Sequence, residues 1–277
     1  MKANDWITSH ALRTPQRPAL DDLSFERSFT YEELSRRIDG LAAHLVHERG
    51  VRHGDRVAVL ARNSHHVIEV QFACAAVGAV FVPLNWRLNV EELLTIGRDC
   101  GPVLVLHESA FEENAAKVAD ALDVPALAWS THGGTDDYER ALATVAGPVA
   151  AAEASGDEPW TIIYTSGTTG RPKGVVLSHA SAMATMLGVI VAGEVGAGSL
   201  ALTVLPMCHV AGLNLFTNPA LYMGARVLTM REYDPERTFD LLTRTVDPVT
   251  HFCGVPANYQ FMQALAFSQP VRACMNW

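Results

Sequence analysis

A polar, glycine-rich segment at residues 164–175 holds the side chains of this chain that are best suited to chemistry. It reads Tyr-Thr-Ser-Gly-Thr-Thr-Gly-Arg-Pro-Lys-Gly-Val. Its hydroxyl groups can donate hydrogen bonds and approach a cation. Gly167, Gly170 and Gly174 can adopt positive φ, which brings backbone N–H groups close to an anion. Lys173 adds a compact positive charge on a flexible stem, so the segment suits a polyphosphate.

Spacing alone leaves two interpretations of this segment open. It is not the G-x-x-x-x-G-K-[ST] loop, because Pro172 stands where that pattern needs Gly and Gly174 stands where it needs Ser or Thr. A different kind of phosphate loop is the first interpretation. A flexible surface turn, which small polar residues also form, is the second.

Two short strands are expected to hold the segment in place. Residues 160–163, Trp-Thr-Ile-Ile, have the composition of a buried strand, and residues 175–177, Val-Val-Leu, that of another. Strand and helix patterns also alternate along the rest of the chain. Thr30 and Glu33 form a capping box that opens a helix, and Asn89 caps a later one. Strands are predicted at residues 56–60, 79–82 and 103–106 and near Leu202, Val227 and His251, and helices at residues 67–77 and near Ala182, Asn214, Phe239 and Asn258.

This alternation predicts an α/β fold with two mostly parallel sheets and helices packed on their faces. We expect a first α/β subdomain at residues 1–150 and the start of a second at residues 151–277, which carries the glycine-rich loop. The small residues at 147–157 indicate a linker between them. The second sheet is expected to begin near Trp160.

Composition narrows the class of protein. The 277 residues include 21 Lys and Arg against 30 Asp and Glu, a net charge of −9, which argues against a broad nucleic-acid surface. The longest apolar stretch, residues 72–84, is too short to span a bilayer. Five cysteines without a C-x-x-C pattern indicate free thiols. No secretory signal is evident, so we expect a cytoplasmic protein.

Histidines give weaker signals. His65 and His66, with Glu69 one turn later, lack the further partners that a metal site needs, and we interpret them as a solvated face. No metal site is expected. His209, between a strand and an apolar segment, has the spacing of a structural residue.

The full string at residues 164–175 resembles the phosphate-loop signature [YF]-T-S-G-[ST]-T-G-x-P-K-G-V of the adenylate-forming (AMP-binding) enzymes. Other segments resemble those of acyl-CoA synthetases of the fatty-acid–CoA ligase type, in the same order. The segment Leu-Pro-Met-Cys-His-Val-Ala-Gly at 205–212 is similar to the family's next motif, except that Cys208 replaces an aromatic residue. The similar segments are Arg-Thr-Pro-Gln-Arg-Pro-Ala at 13–19, Phe-Thr-Tyr-Glu-Glu-Leu at 29–34, Gly-Asp-Arg-Val-Ala-Val at 54–59 and Gly-Ala-Val-Phe-Val-Pro-Leu-Asn at 78–85.

The resemblance implies ATP-dependent activation of a small carboxylic acid to an acyl-adenylate, followed by transfer to coenzyme A. Mg²⁺ would bridge phosphate oxygens. Lys173 and His209 are the implied catalytic residues, with His209 where the nucleotide and acyl pockets meet. The implied nucleotide-binding residues are Thr165, Ser166, Gly167, Thr168, Thr169, Gly170 and Lys173.

The resemblance covers only the N-terminal portion of that fold, without the C-terminal domain that carries a catalytic lysine. We therefore expect a truncated ligase fragment that is inactive alone. An incomplete sheet would expose apolar surface and strand edges, so self-association is also expected. The alternative is a non-catalytic nucleotide-binding or interaction module derived from the same fold.

Overall fold

A computed structural model describes residues 4–131, 136–144, 149, 152–165 and 171–268. Helices and strands alternate along these ranges, as the sequence patterns predict. The helices are α1 (Asn4–Arg13), α2 (Tyr31–His47), α3 (His65–Val77), α4 (Val90–Cys100), α5 (Glu112–Leu122), α6 (Asp137–Thr144), α7 (His179–Gly193), α8 (Val210–Asn214), α9 (Thr217–Tyr222), α10 (Pro235–Thr243) and α11 (Pro256–Ser268). The strands are β1 (Pro18–Asp22), β2 (Arg27–Thr30), β3 (Arg56–Leu60), β4 (Val80–Leu84), β5 (Leu104–Glu108), β6 (Ala126–Trp129), β7 (Pro159–Thr165), β8 (Lys173–Ser178), β9 (Leu200–Thr203), β10 (Arg226–Thr229) and β11 (His251–Phe252).

Local side-chain chemistry sets where helices α2 and α4 begin. Thr30 and Glu33 form the predicted capping box of α2: the Thr30 hydroxyl accepts from the Glu33 backbone N–H, and the Glu33 carboxylate accepts from the Thr30 backbone N–H. Asn89 and Glu92 form the same arrangement at α4. Each box satisfies two backbone donors that the first turn of a helix leaves free, so both predicted helix starts are confirmed.

The strands form two sheets, and most neighbouring strands are parallel. Within the described residues, one sheet has five strands in the order β11-β9-β10-β1-β2, and the other has six in the order β6-β5-β3-β4-β7-β8. The antiparallel pairs are β1–β2 and β7–β8. The predicted class, two mostly parallel sheets with helices on their faces, is confirmed.

Each sheet combines strands from both sides of residue 150. Strand β7 joins the six-stranded sheet beside β4, where Phe81 pairs with Thr161, and β1 lies beside β10, where Leu20 pairs with Val227. The expectation that a second sheet begins near Trp160 is therefore wrong. The alternation of strand and helix patterns predicts where strands occur, but it does not predict which strands pair. The assignment of strands to the two sheets could therefore not be predicted from it. Division into folding units at residue 150 stays a prediction.

Helix α3 lies at the centre of the core that joins the two sheets. Nearly all of its residues are buried, as expected for a helix that is apolar on every side. The largest apolar cluster includes α3 residues and strands of both sheets, and Trp6 of α1 packs edge-on against Phe72 and Trp160. Within the described ranges, no helix has both the length and the apolarity to cross a membrane.

The interpretation of His65, His66 and Glu69 as a solvated face is wrong, because α3 is central and all three are buried. Asp22 binds the His65 ring at 2.8 Å, and the Glu69 carboxylate accepts from Arg37 at 2.5 Å. Buried charges require such partners.

The same network extends to Glu139 on α6. His65, His66 and Glu139 offer atoms within 4.8 Å of one another that could ligate a metal ion. The Glu139 oxygens, however, accept hydrogen bonds from Arg27 and Arg37 at 2.6–2.8 Å. This competition favours an ion-pair network over a metal centre.

Candidate active site

The glycine-rich loop leaves the six-stranded sheet between β7 and β8. Thr165 ends β7, Lys173 begins β8, and the two residues are paired across the hairpin, both with exposed side chains. The hairpin thus brings Thr165 and Lys173 together at the end of β7, a strand that the sequence pattern predicts. The other predicted loop residues, Ser166, Gly167, Thr168, Thr169 and Gly170, lie outside the described residues.

Gly174 has a different role from the one expected of it. It is absent from the described glycines with positive φ, so that expectation is wrong. A Cβ atom at this position would lie 2.9 Å from Ile162 Cγ2 and 3.0 Å from Tyr164 Cζ. The missing side chain therefore makes room for the Tyr164 ring on the opposite strand.

Tyr164 links the hairpin to α4. Its hydroxyl donates a hydrogen bond to Asp99 Oδ2 at 2.5 Å. Burial and this hydrogen bond both raise the pKa of Tyr164, so the phenol stays protonated at neutral pH and remains a donor. The contact fixes the hairpin against α4 immediately before the loop.

A cleft of about 970 Å³ lies between the hairpin, α4 and the loop that precedes α8. Thr165 and Arg171 line it from the hairpin side, Asn85 and Thr95 from the β4–α4 region, and His209 from the α8 side. Its volume is near the upper end of small-molecule sites. The guanidinium, hydroxyl and amide groups can donate hydrogen bonds, and Glu91, Glu92 and Asp99 line the same cleft with carboxylates, so the cleft can hold a polar molecule.

His209 is the residue before α8, and its backbone N–H donates to the Pro206 carbonyl at 3.0 Å. Partial desolvation and the nearby charge of Arg87 lower the pKa of His209. The imidazole is therefore neutral at pH 7 and can donate from one nitrogen while accepting at the other. The adjacent Cys208 is buried, which raises the pKa of its thiol to about 11, so Cys208 is a packing residue and not a nucleophile.

Sequence reasoning missed Asn63, which anchors the segment before His209. The Asn63 amide N–H groups donate to the carbonyls of Leu205 and Met230, and its oxygen accepts from the Met207 backbone N–H. One asparagine in a loop gives no sequence signal of long-range contacts, which only the assembled sheets create.

The sequence profile of the family described as AMP-binding enzyme matches residues 7–274. The chain belongs to the AMP-binding enzyme family. It is 36% identical over 267 residues to an indoleacetate–CoA ligase of Aromatoleum aromaticum, covering 95% of this chain and 51% of the relative. It is 36% identical over 239 residues to a feruloyl-CoA synthase of an Amycolatopsis species, covering 86% and 45%.

Solved structures agree with this assignment to the AMP-binding enzymes. ATP-bound MatB from Rhodopseudomonas palustris superposes with a TM-score of 0.84 at 27% identity, over 95% of this chain and 51% of MatB. The chain thus spans about half the length of the relatives it matches. The match is to their N-terminal portion, as the resemblance implies.

Proposed function

We propose that this chain takes part in ATP-dependent activation of a carboxylic acid, giving an acyl-adenylate and then an acyl-CoA thioester. The observation that carries the proposal is one cleft lined from two sheets, by Thr165 and Arg171 on one wall and His209 on the other. An ATP-bound relative with the same fold supports it.

In the first step a carboxylate oxygen attacks the α-phosphorus of ATP, and the bond to the leaving pyrophosphate breaks. Lys173 would hold the distal phosphates and offset the negative charge that develops on the leaving group. Thr165 would donate to the same phosphates together with residues 166–170. Mg²⁺ would bind mainly through phosphate oxygens, so this role needs few protein ligands.

His209 would form the wall where the acid meets the nucleotide. As a neutral imidazole it can donate a hydrogen bond to a carboxylate oxygen without trapping it as a strong ion pair. In the second step the thiol of coenzyme A attacks the acyl carbon and releases AMP. We assign no residue of this chain to the coenzyme.

We propose an aromatic carboxylic acid as the substrate. The names of two relatives specify indoleacetate and a feruloyl group, and both are aromatic acids. Residues 206–210, Pro-Met-Cys-His-Val, contain no carboxylate, so this segment offers no charged partner for the ammonium of a free amino acid.

Carboxylate-dependent pyrophosphate release tests the proposal. The chain, joined to the C-terminal half of the indoleacetate–CoA ligase relative, is assayed with ATP and indoleacetate, ferulate, a fatty acid or phenylalanine, beside the same fusion carrying Lys173→Ala. Release with the aromatic acids that is lost in the variant supports the proposal, and a preference for phenylalanine contradicts the substrate class.

A second candidate function is a non-catalytic nucleotide-binding module, which the polar cleft also suits. Here the same cleft would bind a nucleotide without turnover. ATP binding by the 277-residue chain, measured calorimetrically, with no pyrophosphate release for any acid from the fusion, would favour this module over the ligase.

A further inference from the structure

Asn63 lies at the junction of the two sheets. It follows β3 of the six-stranded sheet, and its side chain is 3% exposed. Its amide N–H groups reach the carbonyl of Leu205, just after β9, at 2.9 Å and that of Met230, just after β10, at 3.1 Å. Strands β9 and β10 belong to the five-stranded sheet, so one side chain joins the ends of strands from both sheets.

The contacts of Asn63 use its particular chemistry. Both amide protons are donated, and the oxygen accepts from the Met207 backbone N–H at 2.7 Å. An aspartate at this position would place a carboxylate against two carbonyl oxygens, and an alanine would leave three buried backbone groups without a partner. Packing alone does not require an amide here.

The segment anchored by Asn63 leads directly to His209. Its turn is tight, since a Cβ atom on Gly212 would lie 2.2 Å from the Pro206 carbonyl oxygen. At the far end, the Thr217 hydroxyl donates to the Gly212 carbonyl at 2.7 Å. His209 thus lies between two anchored positions, Met207, which Asn63 holds, and Gly212, which Thr217 holds. Of the two anchoring residues, Asn63 is the one that follows a strand of the six-stranded sheet.

We propose that Asn63 is a positioning residue that fixes His209 relative to the β7–β8 wall of the cleft. The two walls come from different sheets, and their separation depends on how the sheets are joined. Asn63 provides a buried, directional connection to the segment that leads to His209, which lines the cleft. The importance of Asn63 for nucleotide binding rests on the proposed function. Its effect on the position of the His209 side chain does not.

The test compares Asn63→Ala and Asn63→Ser with the wild-type chain. The position of His209 is followed by the NMR signal of its imidazole, assigned with His209→Gln, and ATP affinity is measured by calorimetry. We expect the His209 signal to move in both variants and ATP affinity to fall at least tenfold in Asn63→Ala, at a temperature where circular dichroism shows native structure.

Asn258→Ala is the matched control. Asn258 is also buried, and its side chain accepts from the Val255 backbone N–H at 2.8 Å near α11. This variant should lower thermal stability while leaving the His209 signal and ATP affinity unchanged. An unmoved His209 signal in a folded Asn63 variant would overturn the positioning role.

A measurement on the wild-type chain covers the case in which the Asn63 variants do not fold. The Met207 N–H, held by Asn63, should exchange with solvent as slowly as the amides of β3. Rapid exchange at Met207 would refute the anchor. Failure of the wild-type chain to bind ATP would instead reject the proposed function and leave the His209 and Met207 results to decide the role of Asn63.

Discussion

At the residue scale, the proposed role of Lys173 predicts a selective loss of affinity. Lys173→Ala should weaken ATP binding by roughly tenfold or more and AMP binding much less, because AMP lacks the distal phosphates and hydrogen bonds to charged groups are strong. Calorimetric titration of both nucleotides measures this. Lys117→Ala, which removes an exposed lysine of α5, is the control, and an equal loss of ATP and AMP affinity would contradict the assignment.

His66 gives a prediction for stability against pH. Complete burial, then His65 and the charges of Arg37 and Arg27, hold the pKa of His66 well below 6.5. His66 therefore binds its proton at a higher pH in the unfolded chain than in the folded protein. Its contribution to the free energy of unfolding falls as pH drops below 6.5, by at most about 1.4 kcal/mol per pH unit.

Urea unfolding between pH 7.5 and 5.5 measures this slope. His66→Phe keeps a ring against Trp129, which stacks on His66, and should reduce the slope by one proton. The control Leu12→Ala, which removes an exposed apolar side chain and no titratable group, should leave the slope unchanged. Glu139 does not contribute to the slope in this pH range. Burial raises its pKa, but Arg37 and Arg27 have the larger combined effect and lower the pKa to about 2. The stabilisation by Glu139 is therefore lost only as pH falls below 4.5. An unchanged slope in His66→Phe would disprove the assignment.

At the scale of elements, the sequence was informative where the cause is local. The capping boxes of α2 and α4 and the strands that flank the glycine-rich loop were predictable because neighbouring residues create them. The burial of His65 and the contacts of Asn63 were not, since both depend on strands that are remote in sequence. Thr165, Lys173 and His209 could be named from motifs, but not the cleft that Thr165 and His209 line together.

The β7–β8 hairpin predicts the effect of a single methyl group. Gly174→Ala should displace the Tyr164 ring and weaken its bond to Asp99, at a cost of about 1–3 kcal/mol. Thermal unfolding measures the change. Gly188→Ala is the control, because no atom lies within 4 Å of its Cβ position in α7 and alanine favours a helix. Equal melting temperatures for the two variants would contradict the packing role of Gly174.

At the scale of the whole molecule, exposed apolar side chains predict self-association. Val176 on β8 is 55% exposed and Val191 on α7 is 78% exposed. Strand β8 is also the last strand of its sheet in the described residues, and such edges pair readily with other chains. We expect light scattering to detect oligomers of the 277-residue chain.

Lysines at these two positions should reduce that association. The double variant Val176→Lys, Val191→Lys is compared with Val246→Lys, which changes an equally apolar and 81% exposed residue after α10. A monodisperse wild-type monomer would show the prediction to be wrong. So would equal association of the double variant and the wild type.

The pairing of Leu20 with Val227 also constrains the order in which the molecule is completed during synthesis. The ribosome releases β1 and β2 first, but β10, the parallel neighbour of β1, emerges only after every strand of the six-stranded sheet. Closing so long a loop is entropically costly, and high contact order slows folding. The five-stranded sheet can therefore be completed only after every strand of the six-stranded sheet has left the ribosome.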